Sequence, residues 1–215
     1  MEVAGPVGAA HGLAVASGLS LYGAVFVSGL AIRLGWVYLA PAWASLGVLG
    51  DPVVLGVSGV LFFVEFLADK IPVVDSVWDG LHTVIRPVGG ALLASRALGE
   101  LSPAAEVLAL LLLGGATLAT HAAKASTRLV VNASPEPVSN ILISLLENGL
   151  VAAVVWMALA HPLVALGVGL VAVAGAVLLT LWLARRAIGA LGRLRRGRRR
   201  TRPRGVAGGP EAPAP

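Results

Sequence analysis

Residues 12–32 read GLAVASGLSLYGAVFVSGLAI, 21 residues without a charged side chain. At a helical rise of about 1.5 Å per residue this run covers the ~30 Å of hydrocarbon in a bilayer, so it predicts a first transmembrane span, ended by Arg33. The rest of the 215-residue chain agrees: 57% is hydrophobic, 13% charged and 5% aromatic, with a mean hydropathy of +0.88. Soluble domains carry roughly 25% charged residues. The expected fold is all-α, a polytopic transmembrane helical bundle. There is no cysteine, which excludes disulfides, thiolate metal sites and cysteine nucleophiles.

The net charge of +5 is a property of the C-terminal end. Ten of the 16 basic residues are arginines between Arg185 and Arg204, so residues 1–184 hold six basic against ten acidic residues, a net charge of −4. Basic residues beside a span are retained in the cytoplasm, and each contributes about 1 kcal/mol of attraction to anionic headgroups. This is a topology signal with lipid contact as its by-product, and no nucleic-acid partner is expected. The chain divides into a transmembrane domain, 1–184, and a cytoplasmic tail, 185–215, basic and then Gly/Pro-rich and disordered. Glu2 stands where a signal peptide would carry Lys or Arg, so the first span is expected to be kept.

Further spans follow from local signals. Asp51-Pro52 and Ser102-Pro103 pair a capping side chain with a proline in the first turn. They open apolar runs at 53–68 and 108–123, and the last two spans run over 138–160 and 163–184, parted by His161-Pro162. Between them, 69–86 is polar and mixed, a loop or short interfacial helix, and 124–136 is a second polar hinge. Residues 87–98 are apolar but only a half-helix in length. If 87–98 crosses, both hinges face the cytoplasm with the arginines, which gives about six helices, one short or re-entrant, with both termini cytoplasmic. RPVGGALLA at 86–94 aligns without gaps to EPVSNILIS at 136–144, and Gly99 then falls on Gly149, so a parallel internal duplication is expected.

Polar residues inside apolar spans are the candidates for function, because each charge costs about 2.5–3.5 kcal/mol to insert. Ser58, Phe62, Glu65 and Asp69 share one helix face, as do Thr117, His121, Lys124 and Arg128 if their helix runs through the hinge. Asn140, Ser144, Glu147 and Asn148 line a third face, with Glu147 about 15 Å past Pro137. The expected intramembrane site is Glu65, His121, Asn140, Ser144 and Glu147, exchanging protons or ligating a cation, with Glu147 lacking a basic partner at its depth. The cytoplasmic hinges contribute Asp69, Lys70, Asp75, Asp79, His82, Arg86, Lys124, Arg128, Asn132 and Glu136. The plainer expectation for the charged members is a lock, Glu65 and Asp69 against Lys124 and Arg128. Asp75, Asp79 and His82 share a face that would suit a hydrolytic set, but a helix at the water boundary shows the same stripe, so no enzyme is assigned. No metal-ligand spacing, cofactor fingerprint or P-loop is present.

The segments EFLADKIP (65–72), DSVWD (75–79), HTVIRP (82–87), HAAKASTR (121–128), NASPEP (132–137), Ser139-Asn140 and SGLSLY (17–22) together resemble the DUF4126 family of bacterial integral membrane proteins, over roughly residues 10 to 185. The resemblance implies a polytopic bacterial inner-membrane protein with these two hinges as its hallmark, and it supplies no substrate. The expected function is a small secondary transporter or channel-like protein using the polar intramembrane site. The alternative is a non-transporting scaffold whose hinges dock lipid headgroups or a partner.

Overall fold

The computed structural model describes residues 4–39, 41–133 and 137–200. The chain forms α1 (Ala4–Leu19), α2 (Leu21–Arg33), a 3-10 segment (Pro41–Gly50), α3 (Pro52–Ala68), α4 (Pro72–Ser95), a 3-10 turn (Arg96–Leu98), α5 (Pro103–Asn132), α6 (Pro137–Ala160) and α7 (Pro162–Arg200). No strand occurs among the described residues. Helix starts follow the capping chemistry read from the sequence. Asp51 Oδ1 accepts from the Val53 and Val54 amides at 2.8 and 3.3 Å, and Ser102 Oγ accepts from the Ala105 amide at 3.4 Å. Pro52, Pro103 and Pro162 each occupy a first turn, where their missing N–H costs no helical bond.

The first span is not one helix. Ser20 takes an extended backbone, φ −153° and ψ 110°, and its hydroxyl caps α2 by accepting from the Gly23 amide at 3.0 Å. Both arms then run back to the same end of the bundle. Gly5 lies against Trp43, Gly8 against the Pro162 carbonyl and Gly29 against Leu49. Arg33 donates to the Gly50 carbonyl, and Ser45 to that of Arg96. The start of α1, the end of α2, the 41–50 segment, the end of α4 and the α6–α7 junction therefore gather together. The break at Ser20 is buried at the level of Glu65, Arg86 and Lys124. Hydropathy conceals this, because a capping serine within an apolar run barely lowers the average.

The second correction concerns 69–98. The polar stretch and the short apolar one form a single helix, α4, of 24 residues with Pro87 inside it, about 36 Å long. Asp75, Asp79, His82, Arg86 and Gly90 form its buried face, and Val73, Val77, Leu81, Val84, Val88 and Leu92 are exposed. The helix is polar inward and apolar outward. Pro87 forfeits one backbone hydrogen bond, a loss that helices within a bundle tolerate. The third correction is that α5 stays helical to Asn132, so only a few residues of the second hinge remain. Of these, 134–136, Glu136 among them, lie outside the described residues.

The internal alignment pairs places that are not equivalent. Pro87 lies within α4 whereas Pro137 opens α6, and Gly99 is a positive-φ residue (71°) outside any helix whereas Gly149 is inside α6. Chains rich in Ala, Leu and Val align across such differences. By length and composition, α5, Val138–Ala160 and Pro162–Gly189 can each cross a membrane, with a fourth span if Trp43–Gly50 and Pro52–Ala68, bent by 71°, count as one. The expected six are not reached on that measure.

Residues 1–180 form one unit built around α1, whose Gly8–Gly18 stretch is buried apart from His11, which is partly exposed. Alanine and glycine along α1 let its neighbours approach closely: a Cβ on Gly12 would overlap Ala158 of α6, and one on Gly18 would overlap Thr120 of α5. Residues from Leu181 onward are a second unit, in which the Arg186 guanidinium lies over the Trp182 ring at 5.1 Å. Of the tail expected over 185–215, the basic part is helical to Arg200 as the end of α7, and the Gly/Pro-rich part expected to be disordered lies outside the described residues.

Candidate functional site

Most of the candidate residues, intramembrane and hinge alike, lie in one buried cluster. Arg86 of α4 is fully buried and donates to Glu65 Oε1 of α3 at 2.5 Å and to Asp79 Oδ1 at 3.2 Å. Its Nη1 also reaches His121 Nδ1 of α5 at 2.7 Å. A guanidinium can only donate, so His121 accepts through Nδ1 and is neutral. Its Nε2–H then faces the Asp79 carbonyl at 3.2 Å. His82 donates through Nδ1 to the Trp78 carbonyl at 2.8 Å, and its Nε2 is hydrogen-bonded to the Tyr22 hydroxyl at 3.2 Å.

A second set of pairs adjoins the first through Lys124, whose Nζ lies 3.4 Å from Asp69, 3.8 Å from Glu147 and 3.9 Å from Glu65. Arg128 donates to Glu147 Oε2 from Nε and Nη2 at 3.1 and 2.7 Å, to Asn140 Oδ1 at 2.5 Å, and to the Asp69 carbonyl at 3.1 Å. The expectation that Glu147 lacks a cationic partner is therefore overturned: a guanidinium clasps it. Arg128 escaped the sequence argument because it was placed in a hinge at the membrane edge, whereas α5 continues through that hinge and carries it inward. The lock expected between Glu65 or Asp69 and Lys124 or Arg128 is present.

The helix break is part of the site. Ser20 Oγ donates to Glu65 Oε2 at 2.7 Å. The last carbonyls of α1 accept from the cations, Gly18 from Arg86 at 3.5 Å and Leu19 from Lys124 at 3.1 Å. The negative end of the α1 dipole thus meets positive charge, and the N-terminus of α2 lies beside a carboxylate. Sequence reasoning missed Ser20 and Tyr22 as site residues, although both belong to the segment 17–22 quoted above.

Asp75 is fully buried. Its Oδ2 accepts from Asn132 Nδ2 at 2.7 Å, and no ion pair engages it among the described residues. Oδ1 of Asp75 and Oδ2 of Asp79 have no hydrogen-bond partner, and neither does Ser144 Oγ. Asp75, Asp79 and His82 do face one way, but into the protein rather than toward water, which corrects the solvated-face expectation. They engage three different partners, Asn132, Arg86 and Tyr22, and so form no shared hydrolytic pocket. Lys70 stands apart, its ammonium 2.9 Å from the centroid of the Phe66 ring and donating to the Phe66 carbonyl at 2.8 Å. Partial burial holds it below the ordinary lysine range.

A cavity of about 200 Å³ opens between α4 and α5, lined by Ser76, Asp79, Thr83 and Arg128 with Ala125 and Leu129. A larger one of about 840 Å³ lies at the other end of the bundle, beside Ser45, Arg96, Glu100 and Glu106. Among the described residues no three His, Asp or Glu side chains are arranged to hold a metal ion.

No curated protein and no solved structure matches the chain. The family described as a domain of unknown function, DUF4126, matches residues 7–186, which include every side chain of the network described above. The chain belongs to the DUF4126 family.

Proposed function

We propose that the protein is a small secondary transporter or channel-like membrane protein that works through this polar core. The observation that carries the reading is a charge imbalance. Five buried or nearly buried carboxylates, Glu65, Asp69, Asp75, Asp79 and Glu147, face three basic side chains, Arg86, Lys124 and Arg128. His121 accepts from Arg86 and is neutral, so with His82 also neutral, full ionisation leaves two negative charges uncompensated (five less three). An unpaired buried charge costs several kcal/mol. The core therefore calls for positive charge from outside, a proton or a small cation, which a purely structural lock would not need.

The Arg128–Glu147 clasp favours the alternative, a non-transporting scaffold, because it removes the mid-depth free carboxylate. Vesicles reconstituted with the protein and given an imposed pH or cation gradient separate the two. Faster dissipation of a proton, sodium or potassium gradient than in protein-free vesicles supports transport. Rates equal to the blank for all three ions sink it and leave the scaffold.

The same reading sets a topology. Because α4 shows apolar side chains outward along its whole length, it crosses with α3, α5, α6 and the first part of α7, while α1 and α2 enter and leave by one face. The end bearing Lys70 and the α5–α6 junction faces the cytoplasm under the positive-inside tendency, and the arginines from Arg185 onward hold anionic headgroups. This places Ala4 on the opposite side, in exchange for six crossings with both ends inside. The chain has no native thiol, so single cysteines report cleanly. Cysteines at Gly5, Trp36 and Glu100 are expected to label from one side and one at Lys70 from the other. Labelling of Gly5 and Trp36 from opposite sides would restore a crossing first span.

A further inference from the structure

We propose that Asp75 and Asp79 form a carboxyl pair that carries an exchangeable proton, loaded through the cavity between α4 and α5. The inference rests on the transport reading for its use and deepens it by naming the carrier and the ion. The two residues are one turn apart on the buried face of α4, at the spacing that makes side chains neighbours. Asp79 is 4% exposed and Asp75 not at all.

The other acids are provided for. Both Glu65 oxygens are engaged, by Arg86 and Ser20. Asp69 meets Lys124 and Arg128, and Glu147 is clasped by Arg128. The two charges in excess thus fall on Asp75, which has no ion pair, and on Asp79, which shares Arg86 with Glu65. Each keeps one buried oxygen without a partner. Groups facing Asp75 are Asn132 and Arg128 from α5 and Asp69 from the end of α3. Those facing Asp79 are Arg86 and His82 on its own helix and, across the interface with α5, neutral His121 and Arg128, the last lining the same cavity. Arg128 is already committed to Glu147, Asn140 and the Asp69 carbonyl.

A proton removes one of the two excess charges and gives the pair a donor where both oxygens were unpartnered acceptors. In loading, a hydronium ion in the cavity gives its proton to Asp79 Oδ2. One O–H bond breaks on the hydronium and one forms on the carboxylate, whose charge goes from −1 to 0, and water remains. The new O–H is a donor where an orphaned acceptor stood, and passing the proton to Asp75 Oδ1 leaves the total charge unchanged. Release is the reverse.

Dicyclohexylcarbodiimide, which attacks protonated carboxyl groups in apolar surroundings, tests this on the full chain in lipid nanodiscs with peptide mapping by mass spectrometry. The adduct is expected on Asp75 or Asp79, declining as pH rises from mildly acidic to mildly alkaline. It should move to the remaining partner in Asp75→Asn or Asp79→Asn and fall to background in the double variant, with Glu65, Asp69 and Glu147 unmodified. The wild-type map needs no variant to fold. An adduct elsewhere, none at any pH, or one unchanged in the double variant overturns the pair. Protection by sodium at constant pH overturns the proton in favour of a monovalent cation. Flux is scored separately. Labelling at the pair in a protein that moves no ion retires transport and leaves the proton site standing, whereas wild-type proton flux in the double variant removes the pair as carrier.

Discussion

Replacing Arg86 with leucine probes the network at its most constrained point. The guanidinium is fully buried, and its loss strands two carboxylates unequally. Glu65 keeps the Ser20 hydroxyl at 2.7 Å and the Lys124 ammonium at 3.9 Å, whereas Asp79 loses its one cation within 4 Å among the described residues. The His121 Nδ1 acceptor and the Gly18 carbonyl also lose their donor. Removing one partner of a buried ion pair costs about 3–5 kcal/mol, and the residual partners of Glu65 place Arg86→Leu near 3–4 kcal/mol on that scale. Total stabilities run at about 5–15 kcal/mol, so the variant should fold with a much lowered melting temperature in detergent. The double variant Arg86→Leu/Glu65→Leu removes both members of the closest pair, and such replacements are often neutral. It should therefore recover roughly 1.5–3 kcal/mol relative to the sum of the two single variants. Chemical unfolding in mild detergent followed by circular dichroism measures all four corners of the cycle. A single-variant cost below about 1 kcal/mol, the range of an exposed surface pair, or strict additivity in the double variant, would mean that Arg86 is solvated and that the network is not the closed cluster described.

Ser20→Ala removes the cap on α2 and the donor to Glu65, and should cost about 1–3 kcal/mol by the same unfolding measurement. Ser20→Thr should retain most of it, and equal stability for Ala and wild type would dismiss the break as incidental. Gly18→Ala meets the Thr120 hydroxyl and the Thr117 carbonyl, an overpacking of about 1–3 kcal/mol, whereas Gly115→Ala has open space and should stabilise by up to about 1 kcal/mol. Melting temperatures moving the same way for both would contradict the close approach of α1 and α5. Glu147→Gln weakens the Arg128 clasp, so it should lower thermal stability while leaving any ion flux in vesicles unchanged; abolished flux would return Glu147 to the role of carrier.

Helix starts were legible because they are local chemistry: a capping side chain and a proline at Asp51-Pro52 and Ser102-Pro103 announce themselves whatever the rest of the chain does. The shared faces of Glu65 with Asp69, and of Thr117 through Arg128, were legible for the same reason, since periodicity is carried along one helix. The side on which a polar stripe lies is a different matter. Asp75, Asp79 and His82 have the same spacing on a helix at the water boundary and on one turned polar side inward, and only packing against α5 decides. Partner choice was also out of reach. Arg128 and Glu147 are 19 residues apart on two helices, and no spacing rule joins them. The break at Ser20 was hidden by its own surroundings, because the hydrogen bonds that stabilise it come from Glu65, Arg86 and Lys124, at least 45 residues away along the chain.

The break and the charge imbalance belong to one argument. Opening a helix inside a bundle leaves backbone groups that must find partners, and here the carbonyl end of α1 takes up Arg86 and Lys124 while the amide end of α2 lies against Glu65 through Ser20. The hairpin brings a negative and a positive partial charge of similar size, so it orders the charges nearest the tip without altering the deficit. Around Ser20, accordingly, every carboxylate oxygen of Glu65 and Asp69 has a donor. The unsatisfied oxygens are on Asp75 and Asp79, and Asp79 lines the cavity between α4 and α5. A structural lock has no reason to leave its deficit beside a cavity. The proposed carrier fits that placement, because a site that binds and releases a proton must be short of positive charge, while the remainder of the network keeps its own ions paired.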